Sequence, residues 1–367
     1  MINIKNKNLY YIGGVVRDEF LGKENFDIDL TYDGNAIDFC KRLEKENILK
    51  IIKINEPFGT VRVVIDNKEV DIASTRDEIY DKKGHLPKVT EIGCSLKQDV
   101  LRRDFTINSL AKSTQTGEII DYTNGLEDLK NKKLRILYDE SFIDDPTRIV
   151  RGLKFSVRFG FELEEDTKKL QENYLENINY DISYKRLKKE LMETFNLNSQ
   201  EAFDKFFNQK IYKLLIPKNL KKPNYNIENL VKKYPVENIW LVYLGWMNLE
   251  KLPLTKVEKN IIDDYEILKN SNIENNDFSI YKNFANKQKE SILLYTIITG
   301  SDKGLRFFDI ENIRPQITGK DIQNLGIKPS KKYNEIFDYV LKNKLKNPKI
   351  TKREELDLVK AEFNIKY

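Results

Sequence analysis

Two aspartates, Asp27 and Asp29, stand two residues apart in the otherwise apolar run of ENFDIDL, residues 24–30. The alternation of a β-strand sends both carboxylates to one face and Phe26, Ile28 and Leu30 to the other. Like charges on one strand face repel, and aspartate is a poor strand former. The pair therefore calls for a compensating cation, for donor groups, or for solvent. A bare pair on a solvated edge needs no function, but three neighbours favour a site. Gly13-Gly14 ends an upstream strand, where backbone N–H groups can face a phosphate. Arg17 lies just beyond, with a guanidinium able to hold phosphate oxygens in bidentate fashion. Asp71 is a single acid in a second apolar run, KEVDIAS. If the two strands are neighbours, three carboxylates converge, and a divalent cation would relieve their repulsion. Mg²⁺ accepts oxygen ligands and keeps positions open for substrate phosphates. Two such ions can stabilise both an attacking hydroxyl and a leaving pyrophosphate.

Two further constellations carry charge next to apolar sequence. In VLRRDFTINSLA, residues 100–111, Arg102, Arg103 and Asp104 precede a run that reads as buried, and Asn108 sits within it. Adjacent arginines are commonly a solvated pair, but stems beside a core require a charged partner or a phosphate. In IDDPTRIVRGLKFSVRFGF, residues 143–161, Pro146 marks a helix start, with Asp144 or Asp145 as candidate N-cap. Asp145, Arg148, Arg151 and Lys154 recur every three residues and fan across one side of that helix, opposite Ile149, Val150, Leu153 and Val157. The arc reads either as a solvated face or as a surface turned to a ligand, with Gly152 leaving room for a flat group.

The elements that must position these residues change character along the chain. LYYIGG, FDIDLTY, GTVRVVI and KEVDIAS read as strands and VVRDEFLG as a short helix, with turns at Pro57-Phe58-Gly59 and Asp66-Asn67. From about Asp139 the apolar spacing is helical. The expected architecture is an α/β head with a mixed sheet, followed by an all-α neck, body and tail. The 367 residues exceed one ordinary core. No run of about 18 apolar residues suggests a membrane span, and the N-terminal stretch lacks the pattern of a secretory signal. Cys40 and Cys94 offer neither a disulfide framework nor zinc spacing, which predicts a reduced, cytoplasmic setting. The single histidine, His85, excludes histidine-rich metal sites, so the chemistry must run on carboxylates, arginine and lysine. The net charge of +5 is mild, but basic clusters with aromatics between them, KNLKKPNYN and KPSKKYNEIF, suit phosphate contacts as well as plain solvated surface.

In this order GGVVRDEFLG, DID, RRDFTIN and DDPTRIVRGLKFSVRFGF resemble the motifs of the bacterial tRNA nucleotidyltransferase (CCA-adding enzyme) and poly(A) polymerase family, class II. The resemblance covers about residues 10–195 and returns in ITGKDIQNLGIKPS, residues 317–330. It implies a catalytic head at 1–135, a neck with the nucleotide-recognition helix at 136–215, a body at 216–316 and a tRNA-binding tail at 317–367. It further implies Mg²⁺-dependent transfer of C and A from CTP and ATP to the tRNA 3′ end, with release of pyrophosphate. A poly(A) polymerase, an enzyme adding only A or only CC, and an RNA-binding protein that has lost catalysis are the alternatives. Asp27 and Asp29 match the catalytic metal-binding pair, and Asp71 stands where a third acid is frequent. Gly13, Gly14, Arg17, Arg103, Asp104 and Asn108 match the nucleotide-binding motifs. Asp145 and Arg148 match the pair that reads the incoming base, and Arg151 matches a further nucleotide contact. Lys154 stands where arginine is usual, and Lys185 replaces a usual glutamate beside Arg186 and Glu190. The template role agrees with hydrogen-bond chemistry. A carboxylate and a guanidinium complement the amine and ring nitrogen of A and C and mismatch G and U, at roughly 1–3 kcal/mol per unpaired buried group. The segment between Asp71 and Arg102, with Arg76, Glu78, Tyr80, Gly84 and Pro87, is similar to the loop associated with A addition; the plain alternative is a mobile surface loop.

Overall fold

Gly13 turns the chain from strand β1 (Leu9–Ile12) into helix α1 (Gly14–Phe20) at φ +69°, a backbone conformation that side chains with a Cβ rarely adopt. The computed structural model describes residues 2–24, 28–223, 225–247 and 249–364. β2 (Ile28–Tyr32) is followed by α2 (Ala36–Lys45), whose first turn is capped by Asn35 accepting from the Ile37 and Asp38 N–H groups. β3 (Lys50–Asn55), β4 (Thr60–Ile65) and β5 (Lys68–Ser74) form a meander. Asp66 and Asn67 both have positive φ, which makes the two-residue turn that joins β4 to β5. β6 (Arg76–Ile79) and β7 (Lys88–Ile92) pair only with each other, as an antiparallel hairpin. α3 (Leu96–Leu101) begins at a Ser95–Gln98 capping box, β8 (Ala111–Ser113) and β9 (Ile119–Ile120) complete the sheet, and α4 (Gly125–Lys130) packs against the turn Thr106–Asn108.

The sheet has seven strands in the order β3-β4-β5-β2-β1-β8-β9. All its neighbours are antiparallel except β2 and β5, which run parallel. One face is buried through Leu30, Val61, Val63, Val70 and Ile72. Each such side chain contributes about 1.5–3 kcal/mol. Because the strand period is two, this burial pattern turns Asp29, Arg62 and Asp71 to the opposite face.

Helices α5 (Ser141–Asp144), α6 (Thr147–Phe159), α7 (Glu165–Glu176), α8 (Tyr184–Phe195) and α9 (Ser199–Asn208) follow. α6 stops at Gly160 in the left-handed conformation. Its apolar face is buried at Ile149, Val150 and Leu153, as its spacing predicts, while Val157 is half-buried. The head is thus a mixed sheet with helices, and the rest is helical. The chain divides into two compact units, Met1–Asn219 with Lys251–Pro253, and Leu220–Glu250 with Leu254–Tyr367. The second unit is helical throughout its described elements. Near its end Ile317, Ile322, Ile336, Val340 and Val359 form a buried cluster. Beside it the fully buried Glu355 is paired with Lys344 and accepts the Gln316 and Ile317 N–H groups. Among the described residues no helix is long and apolar enough to cross a membrane.

Candidate active site

The parallel pairing of β2 and β5 sets Asp29 directly opposite Asp71. On β4, Arg62 lies opposite Asp71, and on β3 Lys53 lies opposite Arg62. The four side chains make one row across four strands, two cations followed by two carboxylates, and all four line a cleft of about 510 Å³. Asp27 lies outside the described residues. The expected convergence of acids therefore holds for Asp29 and Asp71, with a correction to what offsets their repulsion. Asp71 is gripped by Arg62 through Nε–Oδ1 at 2.8 Å and Nη2–Oδ2 at 2.7 Å. Sequence reasoning missed Arg62, although the alternation of VRV marks it as the charged residue on the face away from the core. The carboxylates supply hard oxygen donors from adjacent strands, the kind of ligand that Mg²⁺ takes. Asp29 and Asp71 thus fit a divalent cation; among the described residues no group of three or more metal-ligating side chains gathers.

Gly13 does not offer its N–H to a ligand: that group donates to the Leu110 carbonyl at 3.1 Å. What the glycine supplies is room, because a Cβ there would sit 3.3 Å from Arg103 Nη1. Gly14 opens α1. Arg103 reaches the same cleft, and its Nη2 is held by Asp99 at 3.0 Å. Its buried Nε has no hydrogen-bond partner among the described residues. Arg102 is a protein strut, bonded to Asp99 at 2.6 Å, Glu78 at 2.9 Å and the Arg76 carbonyl at 2.9 Å. The charged partner that buried arginine stems require is thus Asp99, which is fully buried. Burial works to raise the Asp99 carboxyl, but Arg103 and then Arg102 outweigh it and hold it below the ordinary carboxylate value. Asp99 carried no sequence signal beyond its spacing of three and four from the two arginines.

Behind the cleft runs a buried polar chain. Arg17, 4% exposed, donates to Asp18 at 2.7 Å and to Asn108 Oδ1 at 2.5 Å, and lies over the Phe155 and Phe159 rings. Arg17 is therefore placed beneath the cleft rather than on its surface. Asn108 Nδ2 donates to Asp104 at 3.0 Å, and Asp104 accepts Arg151 Nε at 2.8 Å and Nη2 at 2.5 Å. Burial pushes Asp104 up, but Arg151 above all, with the Asn108 amide and Arg148, holds it far below the ordinary carboxylate value. Arg151 is in turn raised, chiefly by Asp104. Lys154 bonds Glu190 at 2.6 Å and Glu193 at 2.7 Å, so its ammonium braces α6 against α8.

Asp145 and Arg148 are each 4% exposed, which removes the solvated-face reading for both. Asp145 Oδ1 accepts the Thr147 hydroxyl at 2.6 Å and its N–H at 3.2 Å, while Oδ2 accepts Arg186 at 2.5 Å. Asp145 thus supports the start of α6, as a candidate cap should, with Pro146 at the N-cap position itself. Arg148 donates to the hydroxyls of Ser141 at 2.6 Å, Tyr138 at 3.1 Å and Tyr80 at 3.2 Å, and to the Arg102 carbonyl at 3.0 Å. Burial, more than any charge, raises both tyrosine hydroxyls. Gly152 does not leave room for a flat group. A Cβ there would stand 3.1 Å from the Phe105 ring, so the glycine admits a core side chain instead.

Residues 9–135 match the Poly A polymerase head domain family. An A-adding tRNA nucleotidyltransferase of Aquifex aeolicus is 44% identical over 164 residues, which are 44% of this chain and 20% of that protein. An A-adding tRNA nucleotidyltransferase of Geobacter sulfurreducens is 29% identical over 95% of this chain and 44% of its own length. The chain thus spans a fifth and less than half of these two curated relatives. The solved structure of a Thermotoga maritima CCA-adding enzyme complexed with tRNA is 26% identical, with a TM-score of 0.75 over 97% of this chain and 91% of that one. Head motifs, helical continuation and fold agree with those of bacterial tRNA nucleotidyltransferases and poly(A) polymerases, to which this chain is similar.

Proposed function

We propose that this chain transfers nucleotides from ATP and CTP to the 3′ end of tRNA. The observation that carries the reading is the in-register Asp29–Asp71 pair in one cleft with Arg103, whose buried Nε lacks a partner. In this reading Asp29 and Asp71, with Asp27, hold Mg²⁺. When bound, that ion supplies charge neutralisation at the 3′ hydroxyl and the leaving pyrophosphate. Arg103 binds the triphosphate beside the turn that Gly13 and Gly14 leave open, and Asp99 fixes its orientation. Arg17 and Asn108 act from beneath: they hold Asp104, and through it Arg151, in place. Asp145 and Arg148 read the base edge. Asp145 keeps acceptor capacity beside Arg186, since a carboxylate oxygen accepts more than one hydrogen bond. Arg148 must exchange one of its present partners, and Tyr80, which leads into the loop after β6, is the one outside the neck and the Arg102 backbone. That gives the loop a part in nucleotide choice. Lys154 is then a brace rather than a nucleotide contact. The assignment of residues 1–135 as head, 136–215 as neck, 216–316 as body and 317–367 as tail, and a cytoplasmic setting, belong to the same proposal. Both cysteines are buried as thiols, which agrees with a reducing compartment.

A second reading, addition of A alone, is favoured by the names of the two curated relatives. The experiment that separates the readings is extension of tRNA transcripts ending before the CCA triplet and after its second C, with each nucleotide offered singly. Growth of the shorter transcript with CTP and of the longer with ATP supports C and A addition. Growth of the longer alone, with ATP, supports the A-adding reading. Extension of neither by any nucleotide overturns both.

A further inference from the structure

The structure assigns Arg62 as a built-in counter-ion that competes with a divalent cation for Asp71. The proposal rests on the metal reading of the Asp29–Asp71 pair. Its basis is the row across the sheet. Val61, Val63 and Ile65 are buried, so the strand period sends Arg62 to the cleft face, opposite Asp71. There its planar fork takes both oxygens of the carboxylate, at 2.8 and 2.7 Å. A cation that ligates Asp71 through either oxygen must take that oxygen from the guanidinium.

The pair is made to yield. The Arg62 side chain is 50% exposed and that of Asp71 46%. An ion pair this wet is weak and screened by salt, unlike a buried one. The displaced guanidinium also has somewhere to go: Glu69, two residues along β5, already lies 3.9 Å from its Nη1. In the unloaded protein Arg62 therefore relieves the repulsion between neighbouring carboxylates, and it gives way when the cation enters.

Binding of Mn²⁺, used as the probe and followed by electron paramagnetic resonance of the unbound ion, tests this on the full chain without nucleotide. Arg62→Gln should tighten the Mn²⁺ dissociation constant about three- to five-fold, equivalent to roughly 1 kcal/mol for an exposed pair. Lys53→Gln removes a like charge one strand further away and should shift it by less than half as much. In an Asp71→Asn background, Arg62→Gln should do no more than remove a nearby like charge, a shift of the small size expected for Lys53→Gln. Unchanged or weaker binding in Arg62→Gln, equal tightening in Lys53→Gln, or a full effect without Asp71 would each overturn the competition while leaving the metal reading intact. Failure of the unaltered protein to bind Mn²⁺ at all would overturn both.

Discussion

Arg148 and Asp145 differ in what they can lose. Arg148 offers donors only, and ionised Asp145 offers acceptors only. Each holds present partners that a base edge would have to share, Tyr80 and Tyr138 for the arginine, Thr147 and Arg186 for the aspartate. If they read the base, Arg148→Ala lowers discrimination against UTP and GTP more than it lowers triphosphate binding, since Arg103 still holds the phosphates. Asp145→Ala acts likewise, because the amine of C or A loses its acceptor. Relative kcat/KM for the four nucleotides, with wrong bases gaining about tenfold on the right ones for roughly 1.4 kcal/mol of lost selectivity, is the measurement. A uniform loss across all four would sink the template role and leave Arg148 as a support for the neck. The position of these two residues at the start of α6 was legible in the sequence, because Pro146 marks where the helix begins. Their present partners were not: Tyr80, Arg102 and the turn holding Tyr138 and Ser141 come to Arg148 from three separate places, and no local pattern announces such a convergence.

The hairpin of β6 and β7 is tied at its turn to the end of α5 and the start of α8. Its sequence is similar to a loop associated with A addition, with a mobile surface loop as the plain alternative. Gly84 donates its N–H to the Asp144 carbonyl at 2.9 Å and accepts from the Ser183 N–H at 2.8 Å. Its φ is +79°, and a Cβ there would meet the Asp181 carbonyl oxygen at 2.8 Å. Glycine is therefore required both by conformation and by space. Gly84→Val should release the turn at a local cost of about 1–3 kcal/mol. Trypsin should then cut after Lys82 or Lys83 several-fold faster in the variant, with the rest of the chain still resistant. Equal cleavage rates would mean that the turn opens freely already. The strands themselves were readable, since GTVRVVI and KEVDIAS alternate and Asp66-Asn67 signals the turn between them. Register between β2 and β5 was not, because a parallel pair separated by some forty residues leaves no periodic trace; only the folded sheet puts Asp71 beside Asp29 and under Arg62.

At the scale of the whole molecule, charge bears both on stability and on the proposed encounter with RNA. Asp104 has a lowered folded-state pKa, so its contribution is complete above the ordinary carboxylate value of 3.8 and is lost as pH falls through the lowered folded value. Asp104→Asn should therefore be less stable than the unaltered chain at pH 7, by about 3–5 kcal/mol for a broken buried pair, and the gap should narrow only below about pH 4. Urea midpoints taken from pH 7 to pH 3 measure it; a gap that does not change with acid would deny the Asp104–Arg151 pair its part.

RNA binding tests the opposite end of the chain. The net charge of +5 is too small to hold a polyanion by itself, so affinity must come from where the lysines are. Lys331 and Lys332 are exposed at the start of the helix Lys332–Lys346, and the Lys332 ammonium lies over the Phe363 ring at 5.5 Å. A phosphate contact releases counter-ions, so the logarithm of affinity falls with the logarithm of salt by about 0.7 to 0.9 for each phosphate neutralised. If both lysines touch the tRNA backbone, the double variant Lys331→Gln/Lys332→Gln should shallow that slope by about 1.4 to 1.8. The choice of nucleotide should not change, because neither residue belongs to the unit that contains Asp145 and Arg148. Filter binding between about 50 and 200 mM salt gives the slope, and single-nucleotide extension gives the choice. An unchanged slope assigns the two lysines to ordinary solvated surface. A changed nucleotide preference would mean that the tail acts on the reading site, which separate roles for phosphate contact and base reading do not allow.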